Sequence, residues 1–293
     1  MSRQIVEAPR ATPPRYGLIA VAPLIQNDPN LVWIDGWEFN REACAGGGRV
    51  ALNCGGGTQE MVPGTDPDDL ISGDPFVVWA ERHCSTLGFA AGDYEPRARR
   101  NLASVVSFEL ANELWTGALR DEANVDPTVD DIDNLVLSDV TSDTVTNPVG
   151  GGVSPELALG LLVGGLADCS HGSVGMIHVT PQLLVALAAA YAVYRDGNIW
   201  LTPMGHVVVA DAGYDGSGPG HVPAGATQWA YATSMISVRL GTVDIPAGFN
   251  DSVNKATNTV VVYAQQAVGF QWDECCALAA EVTLPVPAIG PPS

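Results

Sequence analysis

The 293 residues carry a net charge of −20, and 46% of them are hydrophobic. That hydrophobic share favours a folded chain over a disordered one, and the length suffices for one large domain or two ordinary ones, each with a sizeable core. The acidic balance argues against a protein whose main task is gripping phosphates, although it leaves room for a locally basic face. Twelve of the basic residues are Arg, and the single Lys, Lys255, follows Ser252-Val253-Asn254 and no glycine run. A P-loop nucleotidase is thereby excluded. No run of about 18 uncharged apolar residues is present, so a membrane span is not expected. Met1 to Arg15 holds three Arg and three Pro but no apolar centre, which makes a poor signal peptide. The chain is expected to be soluble and to begin life in the cytoplasm.

In chain order, the first 35 residues are Pro-rich and broken by Asn27-Asp28-Pro29, with one apolar run from Gly17 to Ile25. They read as an extended arm with little core of its own. From Leu31 to Val62 the pattern is strand, glycine turn, strand: Leu31-Val32-Trp33-Ile34, then Gly46-Gly47-Gly48, then Arg49-Val50-Ala51-Leu52, ended by Gly55-Gly56-Gly57. This is too polar and glycine-rich for a core and suits a projecting loop. Pro63 to Pro75 follows as an acidic linker. Asp93 to Trp115 is the clearest helix, with Asp93 as cap, Pro96 in the first turn and Gly117 beyond the end. Ala98, Leu102, Val106, Leu110 and Leu114 recur every four residues as one apolar stripe, over a length of about 30–35 Å.

Asp121 to Gly152 is acidic and rich in Thr and Asp, an irregular connection. Two helices with Ser154-Pro155 and Thr180-Pro181 starts flank a short buried strand, Gly175 to Val179. Strands are expected at Ile199 to Thr202, His206 to Ala210 and Thr227 to Ala232, with a glycine-rich loop from Gly213 to Gly225 of which Gly216 to Gly220 reads as mobile. Asn258 to Gln265 and Cys275 to Leu284 read as long closing strands, followed by a Pro-rich tail.

The candidate chemistry is thin. The cysteines at 44, 54, 84, 169, 275 and 276 are expected to be buried thiols of a reduced protein. Cys44 and Cys54 flank a glycine turn and could pair across a hairpin, a question the sequence leaves open. On a strand Cys275 and Cys276 would point to opposite sides and could not chelate one ion, and no C-x-x-C signals zinc. His83-Cys84 are sequence neighbours, and a structural role outweighs a nucleophile-base pair. Asp168, Cys169, Ser170 and His171 gather catalytic residue types, but in a polar turn after a helix, whereas triads are built from distant segments. Gly172-Ser173-Val174-Gly175 lacks the first glycine of a nucleophile elbow, since position 171 is His. Gly216 to Gly220 resembles a phosphate loop only in its glycines. The acids of Asp126 to Asp143 do not have EF-hand spacing and read as a solvated face. Arg97, Arg99 and Arg100 form the one compact basic patch, on a solvated helix face or against a partner's carboxylates or nucleic acid. No residue is assigned a catalytic, cofactor-binding or metal-binding role.

The order of elements resembles one family. An arm, a projecting hairpin, a long helix ending in Glu113-Leu114-Trp115-Thr116-Gly117, an α/β region and closing strands are similar to the HK-97-type major capsid proteins of tailed bacteriophages, a fold shared with encapsulins. Gly175 to Pro181 resembles the strand and capped helix of that family's axial domain. Asp196-Gly197 to Tyr214 resembles its next strand pair, and Asn254 to Val282 its closing strands. Gly73 to Val78 and Trp229-Ala230-Tyr231-Ala232-Thr233 look like capsid proteins of actinobacterial phages.

The resemblance implies an α+β chain divided into an arm (1–35), an extended loop with linker (36–80) and a peripheral domain with a spine helix (81–150). An axial domain (151–245) and peripheral closing strands with a tail (246–293) complete it. It further implies self-assembly into hexamers and pentamers of an icosahedral head around double-stranded DNA, assembled in the host cytoplasm and residing in the virion. The implied partners are a separate scaffolding protein, a portal and a decoration protein, with weak contact to DNA, no membrane and no enzymatic activity. Lys–Asn cross-linking, found in some members, is not expected, because Lys255 lies outside the hairpin. An N-terminal scaffolding domain is not expected either, with about 35 residues before the hairpin. An encapsulin shell, another virion component, or a soluble α/β enzyme using Asp168 to His171 or Asp211 to Asp215 are the competing readings.

Overall fold

The computed structural model describes residues 15–26, 33–40, 70–85, 94–126, 131–140, 151–225, 227–245, 253–254 and 259–284. Its elements are α1 (Leu18–Val21), β1 (Leu24–Gln26), β2 (Trp37–Asn40), β3 (Leu70–Gly73), β4 (Phe76–Ser85), α2 (Tyr94–Thr116) and α3 (Ala118–Ala123) in the first half. The second half holds α4 (Pro155–Cys169), β5 (Met176–Val179), α5 (Pro181–Ala189), β6 (Tyr194–Asp196), β7 (Ile199–Leu201), β8 (Val207–Ala210), β9 (Thr227–Thr233), β10 (Ser237–Leu240), β11 (Val253–Asn254), β12 (Thr259–Gln271) and β13 (Leu278–Thr283).

Two sheets share the long helix. In the first, β12 runs antiparallel to β4 along its N-terminal part and to β10 along its C-terminal part, with β1 parallel to β10 at the edge. The second has the order β13-β9-β5-β8-β7-β6, in which β5 and β8 are parallel. Side chains along this second sheet sort by the two-residue period of a strand. Met176, Val209, Tyr231 and Ala279 face the cluster around α2, while Ile177, Val208, Ala232 and Ala280 face α4 and α5. Both faces of β5 are therefore covered, which accounts for its uninterrupted burial.

Helix α2 carries two stripes. The expected one, Ala98, Leu102, Val106, Leu110 and Leu114, is buried throughout. With it, β4 and β12 supply alternating inward residues, Phe76, Val78 and Ala80 on one strand and Val262, Ala264 and Val268 on the other. The second stripe, Ser107, Ala111 and Trp115, is also buried and faces the loop after β8. It escaped the pattern search because two of its members are small and one is polar. Small residues are what that face requires: a Cβ on Gly213 would lie 2.3 Å from the Phe108 carbonyl oxygen and 2.7 Å from the Asn112 nitrogen.

The segment Gly213 to Gly218 is consequently core, and its part from Gly216 is not the mobile loop expected from its glycines. Gly213, Tyr214, Gly216, Ser217 and Gly218 are all buried, and the Trp229 ring occupies the space a side chain on Gly218 would need. The arm is likewise less independent than expected. Leu18 is completely buried, and β1 adds to the first sheet.

Other differences follow from local chemistry. Trp33 to Asp35 form a turn before β2, so Trp33 and Ile34 are not in the expected strand and β2 begins at Trp37, while Leu31 and Val32 lie outside the described residues. Residues 63–75, read as linker, contain β3, and the ten-residue β4 had no alternation strong enough to separate it from a loop. Cys275 and Cys276 sit in a 3-10 turn, Glu274–Cys276, because the Asp273 carboxylate accepts from the Cys275 N–H at 3.0 Å and caps it. The closing strand β12 extends through Gln271, six residues beyond its expected end at Gln265.

Replacing Gly213 by Ala should push the loop off α2 and cost about 1–3 kcal/mol in urea unfolding. Gly160→Ala, on an α4 position with nothing within 4 Å of the new Cβ, should instead stabilise by about 1 kcal/mol.

Candidate assembly surfaces

The expected hairpin has a built base. β2 pairs antiparallel with β3 in the register Trp37↔Gly73 to Asn40↔Leu70, so residues 41–69 leave and return at adjacent strand ends. The Leu31 to Val62 hairpin expected from sequence lies mostly in those residues, outside the described set, as do Cys44 and Cys54. The Trp37 ring fastens the ribbon to the first sheet. A Cβ on Gly269 of β12 would come within 2.4 Å of it, and one on Gly73 of its own ribbon within 2.8 Å. The Arg239 guanidinium stands 5.1 Å above the ring and donates to the Gln271 side-chain oxygen at 2.8 Å. Trp33 packs edge-on at 6.2 Å.

The outer face of the first sheet is apolar and open. On β4, Val77 and Trp79 are 55% and 57% exposed, and Trp79 meets the half-exposed Tyr263 of β12 with centroids 6.1 Å apart. The strand alternation that buries Phe76, Val78 and Ala80 against α2 forces these side chains outward. A second set of exposed apolar residues lies on α5, at the start of β6 and in the neighbouring turns: Val185, Tyr194, Met204 and Tyr191, the last 93% exposed with φ +56°. A tryptophan left open to water is a large apolar surface awaiting a partner.

Between the sheets lies a buried polar junction. Trp115 at the end of α2 packs at a tilt on Tyr214 at 4.7 Å and meets Tyr231 edge-on at 4.9 Å, and its indole N–H donates to the Ser217 carbonyl at 3.1 Å. The Thr233 hydroxyl donates to the Ser234 carbonyl at 2.8 Å, so His178 Nε2–H donates to Thr233 Oγ1 at 3.0 Å. His178 Nδ1 then accepts from the Tyr214 hydroxyl at 2.9 Å. Complete burial holds this imidazole neutral, its pKa pushed down to about 3.

Asp211 accepts from the Leu18 N–H at 3.0 Å and from the Ser107 hydroxyl at 3.4 Å, joining arm, helix α2 and sheet. Burial pushes its carboxyl up against the pull of those bonds. Glu113, also raised by burial, accepts from the Leu119 and Arg120 N–H groups at 2.8 and 2.9 Å and so caps α3. The intervening Gly117 takes the left-handed conformation, φ +64°, that turns one helix into the next.

The residues singled out for chemistry do not form a reacting group. Asp168, in the last turn of α4, and His171, in the turn after it, are both exposed. The Ser170 hydroxyl donates to the Leu166 carbonyl at 2.5 Å, and Cys169 is bonded to Cys276 with Cα atoms 5.6 Å apart. The expectation of reduced thiols is therefore corrected: Cys169 and Cys276 form a disulfide, and Cys275 is disulfide-bonded as well. Sequence spacing gave no hint of the pair, whose members lie 107 residues apart. His83 and Cys84 fall at the end of β4.

Asp211 and Asp215 both serve the fold, Asp215 by accepting from the Ser217 N–H at 2.8 Å. Gly218 lies against the Trp229 ring and precedes a single 3-10 turn, Pro219–His221, with no α-helix following it. Arg99 donates to the Val243 carbonyl at 3.1 Å, and Arg97 and Arg100 have partners of their own. Asp126 and Asp131 border a cleft of about 670 Å³ with Asp35, Asp74 and Glu122. Among the described residues no cluster has the arrangement to hold a metal ion, and no helix is long and apolar enough to cross a membrane.

No protein-family profile and no curated protein sequence matches the chain. Solved structures do. The capsid of a native GTA particle is similar over 97% of this chain and 96% of that one, with a TM-score of 0.55 at 14% identity. A structure from Gordonia phage Cozz is similar over 97% and 92%, with a TM-score of 0.53 at 11% identity. The SrpI encapsulin of Synechococcus elongatus PCC 7942 is similar over 95% and 91%, with a TM-score of 0.54 at 10% identity. At such identities the likeness concerns the fold: the chain has the α+β fold of shell-forming subunits, the HK-97-type fold expected from its element order.

Because the His178 imidazole is favoured neutral, its contribution to stability is complete above about pH 6.5 and is lost as pH falls from there toward about 3. Asp211 and Glu113, raised by burial, run the opposite way just above their ordinary range. A His178→Asn variant should therefore lose close to one proton of linkage between pH 4 and 6, read as a flatter pH dependence of the urea midpoint than wild type.

Proposed function

We propose that this chain is a major capsid protein of a tailed bacteriophage, assembling with copies of itself into hexamers and pentamers of a DNA-enclosing head. The observation that carries this reading is the coverage. The likeness to the GTA capsid takes in 97% of the chain, arm and ribbon base included, and leaves no part over for a separate activity. The open Val77–Trp79–Tyr263 face and the ribbon base supply what such assembly needs, a receiving surface and a reaching segment. On this reading residues 41–69 cross to a neighbour and cover apolar surface there.

The proposed division is arm 1–35, extended loop 36–80, peripheral domain 81–150 with α2 as spine, axial domain 151–245 and closing segment 246–293. The cluster of Leu159, Leu162, Ile177 and Leu183 supports an axial unit around α4 and α5, whereas β13 of the closing segment pairs with β9 of that unit's sheet and β10 of the axial stretch pairs with β12 of the first sheet. The role is structural and non-enzymatic, with the virion as its location and the host cytoplasm as the place of assembly. A scaffolding protein, a portal and a decoration protein are the expected companions. Contact with packaged DNA is weak, in keeping with a net charge of −20. An encapsulin shell is the second reading, favoured by the comparable likeness to SrpI.

Electron microscopy of the expressed chain, alone and with its neighbouring gene products, tests the proposal. Closed shells in which residues 41–69 lie on an adjacent subunit are expected, with nucleic acid as the cargo of native particles. A compact monomer in every condition would overturn it, and a protein cargo would favour the encapsulin reading. Trp79→Asp should leave the far-ultraviolet circular dichroism unchanged while reducing shell yield at least tenfold.

A further inference from the structure

The Cys169–Cys276 bond sits at a structural crossing. Cys169 ends α4, and Cys276 ends the turn through which the chain passes from β12 of the first sheet to β13 of the second. Helix α4 covers β13 there, where Gly165 leaves room for the Leu278 side chain, 2.5 Å from the position of a Cβ. The crossing is already held without the bond. Cys276 is buried in a cluster with Leu162, Leu166 and Leu278, and the Ser234 hydroxyl donates to the Asp273 carbonyl at 3.0 Å while accepting from its N–H at 3.2 Å. Packing alone thus sets the Cα separation of 5.6 Å, within the range a disulfide accepts.

The two sulfurs differ in access. Cys169 is half-buried at the end of its helix, and Cys276 is buried. The carbonyl end of α4 and the apolar cluster both disfavour negative charge on these sulfurs, which slows attack by either thiolate and makes each a poor leaving group once bonded.

We propose that Cys169 and Cys276 form a reversible redox latch, closed after the chain has folded, that fastens the crossing between the two sheets to α4. The Cys169 thiolate attacks a small-molecule disulfide, forming a mixed disulfide and expelling one thiol. The Cys276 thiolate then attacks the Cys169 sulfur and expels the second thiol. Two protein thiols are oxidised, the external disulfide is reduced by two electrons, and the two protons pass to the thiols released. The closed latch joins residues 107 apart and restricts the unfolded chain, while the folded chain changes little.

The test uses the full chain, alkylated and mapped by mass spectrometry after treatment with a phosphine reductant or with oxidised glutathione. Under reductant, Cys169 and Cys276 should both be alkylated on unfolding, and the reduced chain should keep its native circular dichroism. Under glutathione disulfide, the 169–276 linked peptide should appear over minutes to hours, and the thermal midpoint should rise by on the order of 5–10 °C. A Cys169→Ser/Cys276→Ser double variant should match the reduced wild type and lose most of that rise, any remainder coming from Cys275. A reduced wild type that unfolds, an oxidised chain linking Cys169 to Cys275, or an equal midpoint shift in the double variant would each overturn the latch. None of these readouts requires a shell, so they stand or fall separately from the assembly reading.

Discussion

Helix α2 has to satisfy two sheets at once, and the remaining architecture is arranged around that demand. Its wide apolar stripe meets β4 and β12, and its narrow stripe of Ser107, Ala111 and Trp115 meets the loop leaving β8. The first contact is a generous hydrophobic one and would tolerate exchange of similar side chains. The second is a close approach of backbones, in which Gly213 has no room for even a methyl group. Most polar groups trapped there are answered: the Trp115 and Tyr231 donors by Ser217, the Asp211 carboxylate by Leu18 and Ser107, and His178 by two hydroxyls, while the Ser104 hydroxyl one turn earlier on α2 is buried without a partner. A densely partnered network in a low-dielectric interior fixes one relative setting of helix and sheet, since any slip would strand several donors together.

Rigidity inside contrasts with incompleteness outside. The alternation that packs Phe76, Val78 and Ala80 under the sheet leaves Val77 and Trp79 above it, and no element among the described residues covers them. A monomer gains nothing from such a face, whereas a subunit surrounded by copies of itself buries it. The strong negative charge fits the same picture, because like-charged subunits stay apart until apolar contact outweighs their repulsion.

Much of this was legible in the sequence where local physics decided the outcome. Ser154-Pro155 and Thr180-Pro181 start their helices as their chemistry requires, both hydroxyls accepting from the backbone three residues on. The stripe from Ala98 to Leu114 and the stop at Gly117 were plain for the same reason. What could not be read depended on partners distant in the chain. Gly213 to Gly218 looks like any flexible loop until α2 and Trp229 are placed against it. Cys169 and Cys276 look like two buried thiols until the crossing brings them together. The β4 strand lacks a clean signal because its outward residues Val77 and Trp79 are apolar too.

The pairing of Asn40 with Leu70 has an evolutionary consequence. Because the two ends of residues 41–69 are held side by side by the body of the protein, the segment between them can be lengthened, shortened or replaced with little effect on the fold. Each doubling of such a loop costs only about 0.6 kcal/mol in closure entropy. The Trp37 anchor and the sheet beneath it can stay constant while the length and sequence of residues 41–69 diverge, so related chains can differ most there and least in the body that holds the two ends together.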